Sequence, residues 1–281
     1  MFAEQRTSFE SLATEIQTEI WADLPRQTKS SILQVCKAWK ERAMGIPYLW
    51  TDFSFGPGLM HEDLAVARRW LGYSVNAKIS ASIDSPLLHE VSLNLLSILE
   101  LLAPESPRLH SLSITLPDSH AHTVHSFLVA RPLPALSSLS VMLEHTWLSV
   151  ITHDNRQSLV QPFQLLLSPM LTSLHLANVP IMWPASAMSL TEVVLGTQNA
   201  DVVPSFFELK QALEALPALA RLGFYREPPN LQRSDLAGDQ TITLPTVTSL
   251  SIRQIRPEAF HDIIHVLNDT VDPAVARAAA A

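Results

Sequence analysis

Three histidines in "HAHTVH", His120, His122 and His125, are spaced so that they could converge on a metal ion, with Asp118 two residues upstream as a fourth ligand. A zinc site needs four arranged ligands, or three and an open position. No cysteine completes the set, because the only one in the chain is Cys36. The stretch therefore reads as a polar loop leading into a helix, and no metal ligand is assigned. Serine, histidine and aspartate are plentiful enough to furnish a Ser-His-Asp triad. The chain nevertheless lacks GxSxG and any glycine turn suited to an oxyanion. Neither GxGxxG nor GxxxxGK[ST] occurs, and glycine numbers only seven in 281 residues, so backbone cradles for phosphate are not expected. The expectation is a non-enzyme with no cofactor and no catalytic residue.

The composition bounds what such a chain does instead. Hydrophobic residues make up 47%, enough for a substantial core, while charged residues reach only 16% against roughly a quarter in an average globular chain. The longest apolar run, "LNLLSILELL", is about half of what a spanning helix needs, and "MFAEQRTSFESL" has no apolar signal core. A lone cysteine permits no internal disulfide. These features lead to the expectation of an intracellular protein, cytoplasmic or nuclear, without a membrane partner. Net charge is -8, carried by residues 51–281, since residues 1–50 hold six acids and six bases. Nucleic acid is a poor partner for such a chain, which has no basic field to displace counterions. Within residues 24–50, however, Arg26, Lys29, Lys37, Lys40 and Arg42 face only Glu41, a local +4 suited to an acidic protein.

The first 50 residues read as short helices. Leu12, Ile16 and Ile20 recur every four residues and predict one helix face. Pro25 interrupts, Thr28 is a candidate N-cap, and Ile32, Val35, Cys36, Trp39 and Ala43 form an amphipathic stripe ended by Gly45 and Pro47. Beyond residue 50 the pattern changes to Pro-x-φ-x-x-Leu-x-φ, with φ apolar. It recurs as "PRLHSLSI" (107–114), "PALSSLSV" (134–141), "PMLTSLHL" (169–176), "PALARLGF" (217–224) and "PTVTSLSI" (245–252), with a weaker copy "SLTEVVL" at 189–195. The first apolar positions are separated by 27, 35, 19, 29 and 28 residues, around the period of leucine-rich repeats. Strands at "TDFSF" (51–55) and "KISASI" (78–83) belong to the same series. Helical stripes fill two gaps, Leu88 to Leu102 and Phe206 to Leu216, the second opened by the capping box "SFFE"; a last helix is expected around Phe260 to Leu267. The fold class expected is α/β: parallel strands with outer helices, each unit stacking on the next in a solenoid. An ordinary doubly wound α/β domain is the competing architecture. Long connections at 144–168 and 225–243 are candidates for insertion or function.

If Leu112 and Ile114 point inward, period-two alternation turns Ser111 and Ser113 outward. The same phase exposes Ser138, Ser140, Ser173, His175, Arg221, Ser249, Ser251 and Arg253, a shallow face of small residues proposed to meet a protein substrate.

The segment from Leu12 to Phe55 resembles an F-box, in the form found in fungal proteins with degenerate leucine-rich-like repeats behind it. The resemblance rests on Leu12 with Glu15 and Ile16, on Leu24-Pro25, on Val35-Cys36 with Trp39, and on Pro47, Leu49 and Trp50. Two departures stand out: Leu12 is followed by Ala13 rather than proline, and the middle helix opens with "TKSS" rather than leucines. The repeats lack an asparagine ladder, Asn178 having no counterparts. The resemblance implies an F-box domain at 1–50 and a repeat domain at 51–281. It implies docking on the acidic adaptor subunit of a cullin-RING ubiquitin ligase through Leu12, Ile16, Ile20, Leu24, Pro25, Ile32, Val35, Cys36 and Trp39. Cys36 would then be a small buried hydrophobe and Trp50 an anchor to the first strand. The repeats would hold a protein substrate for ubiquitination by other subunits. The alternative is a stand-alone interaction scaffold whose first helices only cap the repeat array.

Overall fold

The computed structural model describes residues 9, 12–56, 61–84, 91–144, 168–179, 189–197, 206–226, 242–253 and 267. Every strand expected from the repeated pattern forms: β1 (Asp52–Phe55), β2 (Ile79–Asp84), β3 (Leu109–Pro117), β4 (Ser138–Glu144), β5 (Ser173–Ala177), β6 (Glu192–Thr197), β7 (Arg221–Arg226) and β8 (Ser249–Arg253). They make one open, all-parallel sheet whose spatial order is the chain order, β1 to β8. Parallel neighbours require crossover connections, and such crossovers are right-handed almost without exception. A strand order that never reverses therefore sends successive crossovers to the same face. A doubly wound sheet reverses at a switch point. None occurs here, which removes that alternative.

The register repeats with the sequence phase. Leu112, Leu139, Leu174, Val193, Leu222 and Leu250 pair in one row across β3 to β8, and Ile114, Val141, Leu176, Leu195, Phe224 and Ile252 in the next. All but Ile252 are buried, as are the leading apolar residues Leu109, Leu136, Leu171, Leu190, Leu219 and Val247. Leu95, Ile98, Leu99 and Leu102 are buried from the helix Val91–Leu102, and Leu209 and Leu213 from Phe206–Glu214, with Leu216 just beyond it. Leu88, Ser205, the two long connections and most of the expected last helix lie outside the described residues, although Leu267 is buried.

A parallel sheet must also satisfy the backbone at each strand start, and here hydroxyls do so. Residues 110, 137, 172, 191, 220 and 248 occupy the same position of successive copies, and from 137 onward each amide donates to the carbonyl of its predecessor at 2.8 or 2.9 Å. Ser137, Thr172, Thr191 and Thr248 add a side-chain bond to that same carbonyl, at 3.1 to 3.3 Å. A ladder of Ser and Thr thus stands where an asparagine ladder was sought. Asn178 contributes one such bond at the opposite strand end. It is buried, sits at φ 57°, and its Nδ2 donates to the Leu143 carbonyl at 2.6 Å. Asn178→Gly keeps the left-handed backbone but loses the donor, and is expected to cost about 1–2 kcal/mol. Asn178→Ala adds the left-handed penalty of a Cβ and is expected to cost about 2–3 kcal/mol. Urea midpoints of the two variants check the order.

By internal contacts the chain divides into two compact units, Met1–Phe53 with Met60–Ser80, and Ser54–Leu59 with Ala81–Ala281. The first holds α1 (Thr14–Ala22), α2 (Arg26–Val35), α3 (Lys37–Met44), a 3-10 turn at Pro47–Trp50, and α4 (His61–Ser74). Its core is Trp21, Ile32, Ala43, Leu49, Trp50 and Trp70. Trp50 is fully buried, donates its indole N–H to the Ala43 carbonyl at 2.8 Å, and meets Trp70 and Tyr73 edge-on. Four details of the sequence reading are corrected. Leu12 precedes α1 rather than lying on it, and α2 begins at Arg26, so Thr28 is inside the helix and not its N-cap. The stripe from Ile32 to Ala43 is not one helix: Cys36 is extended at φ -160° and ψ 168°, dividing α2 from α3. Cys36 is exposed rather than a buried hydrophobe, and its Sγ accepts from the Trp39 amide at 3.5 Å, capping α3.

Candidate functional site

The helical unit turns inward a face that the apolar spacing did not mark. Gln17, Thr18 and Trp21 are buried on α1, while Ile16 and Ile20 are 47% and 41% exposed. Burial of Gln17 is affordable because its amide is fully used. Nε2 donates to the carbonyls of Phe9 and Leu12, both at 2.9 Å, and Oε1 accepts from Arg42. Trp39 leaves the expected stripe to join Phe9 and Trp21 in an aromatic cluster with ring centroids 4.7 and 5.4 Å away. Ile32 is buried; Leu12 and Leu24 are half-buried; Pro25, Val35 (57%) and Cys36 are exposed. The adaptor set named from sequence therefore divides into a packed part and an exposed part, with Ile16 and Ile20 one turn apart on a single helix face. The surrounding charge is thinner than the count implied. Lys29 is buried, Arg42 is held by Gln17, and Lys37 lies 3.7 Å from Glu41, while Lys40 is exposed and has no ion pair among the described residues.

The second surface is the outer face of the sheet. Ser111, Ser138, Ser173, Glu192, Arg221 and Ser249 pair in one row, and Ser113, Ser140, His175, Val194, Gly223 and Ser251 in the next. The outward phase expected for these strand residues is the phase observed. A third row, Thr115, Met142, Ala177, Gly196, Tyr225 and Arg253, had only Arg253 singled out in advance.

The polar centre of this face is Glu192, which sequence reasoning missed. Its Oε2 accepts from Arg221 at 2.9 Å and from Ser173 Oγ at 3.3 Å, and Oε1 lies 3.5 Å from His175 Nε2 without the alignment of a hydrogen bond. Partial burial pushes the Glu192 carboxyl up, but the bond from Arg221, its charge and the neighbouring His175 together hold it below its ordinary value. A depressed folded-state value stabilises the fold above the ordinary 4.5 and loses that contribution as the pH falls below it. Glu192→Gln is expected to flatten the acid limb of the stability profile slightly, because Arg221 is largely exposed and the pair is screened. Thermal melts from pH 6 to pH 3 on both proteins measure it.

Beside this network, over β4 to β8, the face sinks into a cavity of about 290 Å³. Met142, His175, Gly196, Gly223, Tyr225 and Arg253 are among its lining residues. Its position was hidden from a reading that tracked Leu and Ser. The available signal was that two of only seven glycines fall inside strands, which marks a close approach or a bare patch.

Elsewhere, His120 is buried, which pushes its imidazole down, while His122 on the following helix is exposed. Among the described residues no three His, Cys, Asp or Glu side chains form a group able to hold a metal. No helix among them is long and apolar enough to cross a membrane. No family model matches the chain, and no curated protein matches it.

Proposed function

We propose that the chain is an F-box-type substrate receptor: its N-terminal helices dock on the acidic adaptor of a cullin-RING ligase, and its strand face holds a protein substrate. The observation that carries the reading is the exposure of Ile16 and Ile20 on a helix whose other face already has a complete core. Apolar side chains at helical spacing on a surface are what a helix-in-groove or helix-on-helix partner takes up. Charge contributes less than apolar area, since Glu15 and Glu19 flank the isoleucines. Leucine-rich-like repeats account for the second half of the reading: one strand per copy, one leading apolar residue, and from β4 to β8 one backbone amide bonded to the copy before. The chain carries no chemistry in this account; it raises the concentration of substrate near an enzyme borne by other subunits.

Co-purification tests the proposal. The intact chain, mixed at micromolar concentration with the purified adaptor, is expected to elute as a stoichiometric complex. Separate elution at those concentrations would leave a repeat scaffold as the better reading.

A further inference from the structure

The cavity on the strand face has a floor, walls and a charged rim, and each restricts what it can hold. The floor is bare backbone. A Cβ at Gly196 would stand 3.0 Å from the Tyr225 carbonyl oxygen and 3.2 Å from Ala177 Cβ, and one at Gly223 would stand 3.0 Å from Val194. Side chains are thus absent where the face would otherwise be filled. The walls include Met142, Val194 and Tyr225. At the rim, Glu192 takes up the charge of Arg221, whereas Arg253 is exposed and has no ion pair among the described residues.

Size narrows the choice further. About 290 Å³ is at the low end of the ~300–1,000 Å³ of small-molecule sites, room for one or two side chains rather than a dinucleotide. Both glycines lie inside strands, not before a helix, so no nest of free amides faces a phosphate. To one side the face continues as the small-residue serine rows of β3 and β4.

We propose that this cavity seats one apolar side chain of a partner protein, with an adjacent acidic residue of that partner meeting Arg253. The ligand is an acidic peptide with an apolar anchor. This deepens the receptor reading and rests on it only in taking the strand face as the one that meets substrate. A basic peptide is disfavoured by Arg253, and a peptide without an anchor leaves the apolar walls wet.

Fluorescein-labelled pentapeptides of the form Ser-Φ-Asp-Asp-Ser, with Φ as Leu, Ile, Met, Phe or Trp, test it by anisotropy against the full chain. At least one is expected to bind, and to weaken about tenfold or more when Φ becomes Ser or when both Asp become Lys. Ala177→Phe, which fills the cavity, is expected to remove binding. Arg253→Glu, at an exposed position, is expected to shift the preference toward the lysine peptides. Circular dichroism of both variants checks that the fold is kept. The proposal is overturned if no apolar-acidic peptide binds at 1 mM, if the unaltered chain prefers the lysine peptides, or if Arg253→Glu leaves the preference unchanged in a folded protein. Adaptor binding by the same preparation separates the two readings. A chain that binds adaptor but no peptide loses this inference alone, and one that binds peptide but no adaptor loses the ligase reading alone.

Discussion

Ile16→Asp is expected to leave the chain folded while weakening adaptor binding by roughly 30- to 700-fold, or about 2–4 kcal/mol. The two halves of that expectation come from the same fact. Ile16 is 47% exposed on α1 and lies away from the face that buries Gln17, Thr18 and Trp21. A surface substitution clear of caps and packed contacts changes stability by about 0.5 kcal/mol or less. Within an interface core the same change places a carboxylate where an apolar anchor was, beside Glu15 and Glu19 and facing an acidic partner. Ile20→Asp, one turn on, is expected to behave alike. Calorimetric titration of each variant against the adaptor, with urea denaturation alongside, reads both quantities.

Trp50→Ala is expected to have the opposite profile, destabilising the helical unit by about 3–5 kcal/mol. Trp50 is 0% exposed and ties the 3-10 turn to two helices at once. Its indole N–H satisfies the Ala43 carbonyl at the end of α3, and its ring meets Trp70 and Tyr73 of α4 at centroid distances of 5.2 and 5.6 Å. Truncation opens a cavity and removes one of that carbonyl's two donors, the other being the Ile46 amide at 3.1 Å. Against a typical total stability of about 5–15 kcal/mol the loss is large enough to unfold a marginal unit. Trp50→Phe separates the contributions: it keeps most of the ring packing and loses the hydrogen bond, for about 1–3 kcal/mol. The midpoint of urea unfolding, followed by near-ultraviolet circular dichroism, measures both. Where Trp50→Ala impairs adaptor binding, the impairment is expected to track the fraction unfolded, whereas that of Ile16→Asp is not.

Why the strands were legible and the helical unit was not is a matter of how strongly each pattern is constrained. A strand phase with period two has only two settings, and a leading proline repeated five times pins it, so Leu112 and its row partners fall inward as read. On α1, by contrast, the apolar spacing of Ile16 and Ile20 marked a face that stays exposed and said nothing of the face that turns inward. The buried Gln17 reverses the pattern, and its burial depends on carbonyls of Phe9 and Leu12 and on Arg42, which no periodicity reveals. The break at Cys36 is concealed in the same way. Apolar residues continue at three- and four-residue spacing straight across it, and only the extended backbone and the sulfur cap show that two helices meet there. Glu192 was within reach: aligning the weak copy "SLTEVVL" with its neighbours sets Glu192 between Ser173 and Arg221. Its pairing with Arg221 follows from that register, as opposite charges directly across a strand pair attract. The cavity at Gly196 and Gly223 needed three dimensions, because its walls come from five strands.

The central claim is that the N-terminal helices are a docking surface and not a lid. Hydrogen–deuterium exchange of the intact chain, with and without saturating adaptor, tests it most directly. The account predicts slowed exchange within Thr14–Val35, centred on the Ile16 and Ile20 turn of α1, and little change in β3 to β8. Exchange unchanged across Thr14–Val35 at adaptor concentrations of tens of micromolar, or protection confined to the strands, would contradict it.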